Sequence, residues 1–305
     1  MVYFILKYIL IEIYLIGEGM KEICIEVECF NLKATLECGQ CFRWTCINEN
    51  ENEYIGVISD RVIKVRQDGN KLYFKSNNMN NLEEVVKHYF DLEKDYATIE
   101  KEIVKIDKHV KEAVKNSSGL RHLNQPFFEC LISYIISANN NIPRISKSVN
   151  AISKKYGKKV IFENEEYYLF PTALELKDAS VDDYRKLGVG FRDRYIKDTV
   201  EQILNVSFDV NNVDNLPTNE LRKELMKLKG VGQKVADCIM LFSCNREEVF
   251  PIDVWVERVM SILYFKDNDG SMKKKDIIEY ANKYFGINAG IIQQHLFYNM
   301  RENMI

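Results

Sequence analysis

The sequence is poor in linker-forming residues and has no excess of positive charge. Five prolines and 14 glycines among 305 residues argue against long disordered segments, so we expect two or three folded domains. The formal net charge of −3 excludes a chain that is basic throughout, and a nucleic acid could bind only at a local patch. Residues 1–16 are apolar but too short to span a bilayer. They predict a strand, or a stretch upstream of a true start at Met20, in a cytoplasmic protein.

Histidine is scarce, and the cysteines do not make a metal-binding motif. Cys38-Gly39-Gln40-Cys41 is formally a CxxC pair, but a zinc site needs a second pair of ligands at a matching distance. The four histidines lie far downstream, at His88, His109, His122 and His295. We therefore interpret the cysteines as reduced, small apolar side chains of a cytosolic protein, and we expect no catalytic metal and no cofactor.

The periodicity of the apolar residues changes near residue 80. Before it, short alternating segments flank Gln67-Asp68-Gly69-Asn70, which predicts a β-hairpin. Beyond it, apolar residues recur every three and four positions, which predicts helices to the end of the chain. The fold class is thus α+β: an extension of uncertain status (1–20), a small antiparallel β-rich domain (21–115) and a two-lobed all-helical region (116–305). The predicted helices are 82–89, 95–105, 126–137, 144–156, 180–186, 194–203, 218–228, 235–243, 254–264, 274–284 and 289–299.

The segment 228–238 carries the strongest chemical pattern. Gly230 and Gly232 bracket one apolar residue between two predicted helices, and glycine permits a tight turn while leaving backbone N–H groups exposed. Such donors at a helix start make a site for a DNA phosphate. Lys234 lies in the first turn of that second helix, where positive charge is disfavoured. This position favours the neutral amine needed for nucleophilic attack, with a simple charge contact to phosphate as the equally open alternative.

An aspartate follows nineteen residues after this lysine. Pro251 imposes an extended approach, and Asp253 then occupies the position of a helix N-cap. By itself the aspartate is interpreted as a cap, but beside the hairpin lysine it becomes a candidate catalytic group. Two basic runs, within 221–234 and 144–159, are either DNA-binding patches or solvated helix faces.

Together these residues resemble the helix-hairpin-helix glycosylase superfamily, and within it the 8-oxoguanine DNA glycosylase/AP lyase family. The segment 231–238 looks like the catalytic hairpin of that family, and similarity extends over most of the chain from Ile23 to Arg301. Four further segments match family patterns: 38–44 resembles SGQSFRW, 138–145 resembles SNNNIARI, 187–195 resembles LGLGYRARY, and 289–297 resembles AGWAQAVLF.

The resemblance implies a bifunctional enzyme that flips 8-oxoguanine out of duplex DNA, excises it and cleaves the strand by β-elimination. Lys234 is then the nucleophile, and Asp253 stabilises positive charge on the sugar. The implied lesion pocket consists of Gly39, Cys238, Gln293 and Phe297. The implied contacts with DNA and the opposite base are Asn139, Arg144, Phe191, Arg192, Gly230 and Gly232. Backbone carbonyls of Met226, Leu228 and Val231 are the implied ligands of a structural monovalent cation.

The implied partner is double-stranded DNA with an oxidised guanine, bound by a monomer in the bacterial or archaeal cytoplasm at the nucleoid, with no membrane association. Two residues depart from the family pattern. Phe191 stands where the vertebrate pattern has tyrosine, and Trp255 stands where a phosphate-binding histidine is usual. Both departures predict a relaxed preference for cytosine opposite the lesion.

Four alternatives make different demands on the sequence. An alkyladenine-type glycosylase would lack the hairpin lysine. A relative of endonuclease III would carry C-terminal cysteines for an iron–sulfur cluster, but none follows Cys244. A helix-hairpin-helix module that only binds DNA would have no need of both Lys234 and Asp253. A thiol-based metal or redox protein would depend on the N-terminal cysteines.

Overall fold

A computed structural model of the chain describes residues 11–16, 20–265 and 273–303. Its N-terminal part contains a six-stranded antiparallel sheet with the strand order β1-β2-β6-β5-β4-β3. The strands are β1 (Ile11–Ile16), β2 (Met20–Glu26), β3 (Trp44–Asn48), β4 (Glu53–Ile58), β5 (Arg61–Asp68) and β6 (Lys71–Ser76). The predicted hairpin is confirmed, because Asp68 of β5 pairs with Lys71 of β6 around the turn. Part of the apolar N-terminal segment is β1, at one edge of the sheet; residues 1–10 and 17–19 lie outside the described residues.

Helices dominate the rest of the chain, as the periodicity predicts. They are α1 (Leu32–Glu37), α2 (Leu82–Tyr89), α3 (Tyr96–Ile103), α4 (Lys108–Ser117), α5 (Phe127–Ser137), α6 (Ile142–Tyr156), α7 (Val181–Lys186), α8 (Asp193–Leu204), α9 (Thr218–Leu225), α10 (Gln233–Ser243), α11 (Val254–Tyr264), α12 (Lys274–Tyr284) and α13 (Ala289–Asn303). All eleven predicted helices are present, and α1 and α4 are additional.

The prediction of helices alone beyond residue 80 is wrong at one place. After α6 the chain forms a two-stranded antiparallel hairpin of β7 (Lys159–Phe162) and β8 (Glu165–Tyr168). The two turn residues, Glu163 and Asn164, have φ values of 49° and 67°, the left-handed conformation that two-residue hairpin turns use. Phe162 is buried in one apolar cluster with residues of the large sheet, so the tertiary packing stabilises a hairpin that is too short to be stable alone.

Three apolar cores organise the molecule. The first lies between the large sheet and helices α1 and α2, and the second is built from α5 to α10. The third combines α3 and α4 with α11, α12 and α13, so the two predicted helical lobes are confirmed. Because α4 contributes Val110 and Val114 to the same core as Ile292 and Leu296 of α13, the packing runs across the predicted boundary at residue 115.

Six of the eight cysteines are buried, and Cys29 and Cys46 are partly exposed. All eight lie in the described part of the chain and none forms a disulfide bond. The thiol of Cys38 donates a hydrogen bond to the carbonyl of Thr35, and that of Cys41 donates to the carbonyl of Leu36. Within the described residues, no group of three or more His, Cys, Asp or Glu side chains is arranged to hold a metal ion. No helix in that part of the chain has the length and apolarity required to cross a membrane.

Candidate active site

A cavity of about 360 Å³ opens between the second and third cores. Its wall is formed by the loop after α1, the segment from α5 to α6, the first residues of α10 and α11, and α13. Five residues that the sequence singles out, from four different segments, line it: Gly39, Lys234, Asp253, Trp255 and Phe297. A larger, more apolar cavity of about 640 Å³ lies near Phe127 and Phe170, and no residue of the predicted site lines it.

The helical hairpin places Lys234 at the cavity. Gly232 is the N-cap of α10, and Lys234 is the second residue of that helix. Among the described residues Lys234 forms no ion pair, and its Nζ lies 5.5 Å from the centroid of the Tyr134 ring. The side chain is therefore positioned by an aromatic face and is not held by an acidic partner, which leaves the amine accessible for reaction.

Cys238, one helical turn after the lysine, is a neutral neighbour. Its side chain is buried, and burial raises the pKa of its thiol to about 11, although the charge of Lys234 acts in the opposite direction and that of Asp253 adds to the rise. The thiolate is the nucleophilic form of cysteine. Cys238 therefore stays an uncharged thiol at neutral pH and does not compete with Lys234 as the nucleophile.

Asp253 combines the two interpretations that its sequence position left open. It is the N-cap of α11, where its Oδ1 accepts a hydrogen bond of 2.8 Å from the backbone N–H of Val256. It also lines the cavity together with Lys234. The capping bond fixes the carboxylate in one orientation, so its charge is preorganised beside the space that a substrate would occupy.

The two hairpin glycines have different reasons for lacking a side chain. Gly230 has a φ of +84°, and a Cβ there would lie 2.5 Å from Cδ2 of Tyr195. At Gly232 an added Cβ would meet nothing within 4 Å. The fold therefore requires Gly230, whereas Gly232 leaves an open approach to the backbone N–H groups at the start of α10.

The basic run around this hairpin is largely neutralised by acids. Lys227 pairs with Glu224, Lys229 pairs with Asp198, and Arg222 pairs with Asp237, each at 2.6 Å. Most of the basic residues in this run are therefore paired with acids, as expected of a solvated helix face. The carbonyl of Leu228, one of the three implied cation ligands, accepts a hydrogen bond from the N–H of Val231, and that cation site stays a prediction.

The side chain of Gln40 anchors the loop that carries Gly39 through hydrogen bonds. Gly39 has a φ of +84°, and a Cβ there would lie 3.2 Å from Cδ1 of Ile142 and 3.7 Å from Cε1 of Phe297. Gln40 is completely buried, and every polar atom of its side chain has a partner. Its Nε2 donates to the carbonyls of Thr35 and Arg121 at 2.8 Å, and its Oε1 accepts from the N–H of Leu123 at 2.9 Å.

The remaining pocket residue, Gln293, does not line the cavity, and neither does Cys238. Gln293 is buried, and its Oε1 accepts a hydrogen bond of 2.9 Å from Nε2 of Gln294. Both residues lie on helices whose neighbouring residues, Lys234 and Phe297, do line it. Their predicted contacts with a base stay predictions.

Three of the predicted DNA contacts are solvent-exposed. Asn139 is exposed with a φ of +51°, and Arg144 is exposed and forms no ion pair among the described residues. The ring of Phe191 is 57% exposed. An apolar ring left in water at this rim is available to insert into a base stack.

Arg192 is placed differently from the sequence expectation. It is buried, and its guanidinium donates hydrogen bonds to the carbonyls of Ala138, Asn139 and Val189. In this conformation it holds the Asn139 turn, and four of its five N–H donors are used by backbone carbonyls. A direct contact would require that these bonds be exchanged on DNA binding.

Sequence reasoning missed two residues that shape the cavity, Tyr134 and Ile142. Tyr134 lies in a helix that is apolar on all sides, and its hydroxyl carries no signal in the periodicity. Ile142 lies inside the matched 138–145 segment, but an exposed aliphatic residue at a helix start indicates no role by itself. Gln40 lies inside the matched 38–44 segment, which could have drawn attention to it, but an isolated glutamine indicates no chemistry.

A helical hairpin that presents a lysine to a cavity, with a capping aspartate on the same wall, defines a helix-hairpin-helix protein equipped for base excision. Comparisons with known proteins are consistent with that class. Residues 22–131 match the family described as the 8-oxoguanine DNA glycosylase N-terminal domain, and residues 132–285 match the HhH-GPD superfamily of base excision DNA repair proteins.

Similar proteins come from archaea, fungi and bacteria. A probable N-glycosylase/DNA lyase of Methanothermobacter thermautotrophicus is 32% identical over 73% of this chain and 76% of its own length. The N-glycosylase/DNA lyase of Saccharomyces cerevisiae is 29% identical over 83% and 72%. The crystal structure of the Clostridium acetobutylicum 8-oxoguanine glycosylase/lyase, with double-stranded DNA containing cytosine opposite 8-oxoguanine, is 39% identical. The match covers 97% of this chain and 99% of the Clostridium acetobutylicum chain, with a TM-score of 0.89. The chain belongs to the HhH-GPD superfamily of base excision DNA repair proteins, in the branch with the 8-oxoguanine DNA glycosylase N-terminal domain.

Proposed function

We propose that the protein is a bifunctional DNA glycosylase that excises 8-oxoguanine from double-stranded DNA and then cleaves the strand at the abasic site. It acts as a monomer in the compartment that holds the DNA, the cytoplasm of a bacterial or archaeal cell. The observation that carries this proposal is the meeting of Lys234, Asp253, Gly39 and Phe297 in one cavity. These residues lie far apart in the sequence, and each has the chemistry that one step of the reaction needs.

The covalent step uses the amine of Lys234. Its Nζ attacks C1′ of the flipped nucleotide while the glycosidic bond breaks, and the base leaves with the bonding electrons and takes up a proton. The carboxylate of Asp253 stabilises the positive charge that develops on the sugar in this step. Opening of the sugar ring gives a protonated Schiff base between Nζ and C1′. Loss of a C2′ proton then expels the 3′ phosphate, which cleaves the strand by β-elimination.

Recognition of the lesion depends on the Gly39 loop. 8-Oxoguanine carries a hydrogen on N7, whereas guanine has a lone pair there. The carbonyl of Gly39 accepts a hydrogen bond from that N7–H, and with guanine it would face an unpaired acceptor. Phe297 and Cys238 enclose the two faces of the base, and Gln293 reads its Watson–Crick edge. The hydrogen bonds of Gln40 support this proposal, because a discriminating carbonyl must not move.

Residues at the edge of the cavity stabilise the DNA in the conformation with the nucleotide flipped out. Backbone N–H groups beside Gly230 and Gly232 bind a phosphate, Asn139 fills the gap in the stack, and Phe191 wedges it. Arg144 binds the opposite cytosine. Arg192 supports the Asn139 turn through hydrogen bonds from its guanidinium to backbone carbonyls. A contact between Arg192 and the opposite base requires that these hydrogen bonds be exchanged for hydrogen bonds to the base. Because Phe191 and Trp255 depart from the family pattern, we propose that cytosine is preferred without being required.

The test is covalent trapping. The protein is mixed with a duplex carrying 8-oxoguanine opposite cytosine, and borohydride is added to reduce the Schiff base to a stable adduct. We expect an adduct with the wild type, none with Lys234→Gln, and a slow reaction with Asp253→Asn. Lys283→Gln is the matched control, because Lys283 is exposed on α12, a helix that contributes nothing to the cavity wall. Absence of both adduct and base release with the wild type would exclude 8-oxoguanine as the substrate.

A further inference from the structure

Tyr134 has no role in the proposed reaction, yet it contacts both halves of the site. It lies on α5 with 3% of its surface exposed. The centroid of its ring is 5.5 Å from Nζ of Lys234. At its other end, its hydroxyl donates a hydrogen bond of 3.1 Å to the backbone carbonyl of Gln40. One side chain thus connects the nucleophile with the loop that carries Gly39.

The Tyr134 ring is fixed in this orientation. It stacks on Phe242 with ring centroids 5.7 Å apart and an interplanar angle of 17°, and Phe42 packs edge-on at 5.6 Å. Burial raises the pKa of the Tyr134 hydroxyl well above its usual range. The hydroxyl is therefore protonated, and a hydrogen-bond donor, at every pH at which the enzyme would work.

The hydroxyl fixes the lesion-reading loop. The carbonyl of Gln40 accepts both from Tyr134 and, at 2.7 Å, from Nε2 of Gln125. The neighbouring peptide group contains the carbonyl of Gly39. Because peptide groups are planar and only two dihedral angles separate one from the next, anchoring the first carbonyl restricts the direction of the second. Loss of the hydroxyl leaves the Gln40 carbonyl with one donor and gives the Gly39 carbonyl more freedom.

The ring acts on the charge at Nζ. The face of an aromatic ring attracts a cation within about 6 Å of its centroid. The Schiff base of Lys234 is a cation at Nζ, whether it forms by displacement of a base or from the aldehyde of an abasic site with loss of water. The ring face therefore stabilises the covalent intermediate more than it stabilises the neutral amine that attacks.

We propose that Tyr134 is a positioning residue with two separable effects: its hydroxyl orients the Gly39 loop for recognition of the lesion, and its ring stabilises the cationic Schiff base of Lys234. This inference deepens the proposed function and rests on it. The two effects are separable because they involve different atoms of one side chain and different steps of the reaction. Excision of 8-oxoguanine needs both, whereas reaction with an abasic site that is already present needs only the ring.

Two substitutions and two substrates separate the effects. Tyr134→Phe keeps the ring, and Tyr134→Leu removes it. The substrates are a duplex with 8-oxoguanine opposite cytosine and one with a preformed abasic site. We expect Tyr134→Phe to slow excision severalfold and to lower the selectivity for 8-oxoguanine over guanine, with borohydride trapping on the abasic duplex within about twofold of the wild type. We expect Tyr134→Leu to reduce trapping on both duplexes, by about tenfold on the abasic one.

Tyr184→Phe is the matched control for the lost hydroxyl. Tyr184 is completely buried on α7, its hydroxyl has no hydrogen-bond partner among the described residues, and it does not line the cavity. Its substitution should leave both activities unchanged. The folded fraction of every variant is measured by thermal unfolding, so that rates are compared per folded molecule.

Three outcomes would overturn the proposal. Tyr134→Phe could match the wild type on both substrates, which would remove the role of the hydroxyl. It could instead lose both activities in proportion to a lower folded fraction, which would make the contact merely structural. Tyr134→Leu could trap the abasic site as the wild type does, which would remove the role of the ring. Failure of the proposed function is distinguishable from all three, because then the wild type itself would form no adduct with either duplex.

Discussion

His295 should make the protein unusually sensitive to mild acid. It stands on α13, at a position where the related family pattern AGWAQAVLF has valine. The side chain is completely buried. Its Nδ1 lies 2.6 Å from the hydroxyl of Ser117, whereas its Nε2 has no hydrogen-bond partner among the described residues. Two charged or titratable groups face it, Glu100 with Oε1 at 3.9 Å from Nε2, and His122.

Burial, and to a smaller extent the neighbouring His122, lowers the pKa of His295 to about 3 from its ordinary value of 6.5. In the folded protein the imidazole is therefore neutral throughout the range from pH 7 to pH 5. In the unfolded chain it takes up a proton below pH 6.5, which stabilises the unfolded state. The contribution of His295 to stability therefore falls as the pH falls through this range. For this one group the loss between pH 7 and pH 5 is about 2 kcal/mol.

The measurement is the free energy of unfolding in urea at pH 7, 6 and 5, for the wild type and for His295→Val. Valine keeps the site apolar, and the hydroxyl of Ser117 retains its hydrogen bond to the carbonyl of Ala113. The difference between the free energies of unfolding of the two proteins should change by about 2 kcal/mol from pH 7 to pH 5. The variant should gain stability relative to the wild type as the pH falls. His88→Gln removes an exposed histidine and serves as the control. Its free energy of unfolding should change with pH as that of the wild type does. Parallel curves for the wild type and His295→Val would refute the reasoning.

Four further substitutions test the active site and its support. Gly232→Ala should leave stability within about 1 kcal/mol and weaken DNA binding in a filter or anisotropy assay, whereas Gly230→Ala should lower the unfolding midpoint because its φ and its contact exclude a side chain. Arg222→Gln leaves the carboxyl of Asp237, whose pKa burial raises to about 6, without its charged partner. It should cost about 3 kcal/mol of stability at pH 8 and clearly less at pH 5, where the carboxyl is protonated; an equal loss at both values would contradict this. Gly39→Ala should slow excision of 8-oxoguanine while cleavage of an abasic site persists, because only the first needs the Gly39 carbonyl in place.

The elements of the fold follow from short-range patterns. Alternation of apolar residues and the Gln67–Asn70 turn are sufficient for the β5–β6 hairpin, and spacings of three and four residues are sufficient for eleven helices. Short-range patterns do not predict the hairpin β7–β8. Its strands have four residues each, fewer than any periodicity can establish, and their stability comes from packing against the large sheet.

The chemical core of the site is also local in origin. Lys234 lies in the first turn of α10, and Asp253 is oriented because it caps α11; both placements can be inferred from the sequence. Their meeting in one cavity with Gly39 and Phe297 is not local, because it depends on how the two helical cores and the loop after α1 pack together.

The sequence by itself determined the fold class, the helical hairpin and the positions of Lys234 and Asp253 at two helix starts, because each depends on residues within a few positions of one another. Only the tertiary structure decided which donors support the Gly39 loop, that the guanidinium of Arg192 faces inward, and that His295 is buried with no hydrogen-bond partner for Nε2 in the described part of the chain. Hydrogen bonding and desolvation depend on atoms that are brought close from distant parts of the chain. Tyr134 shows this difference: in the sequence it is one more apolar position of α5, and in the structure it connects the lysine with the loop that carries Gly39.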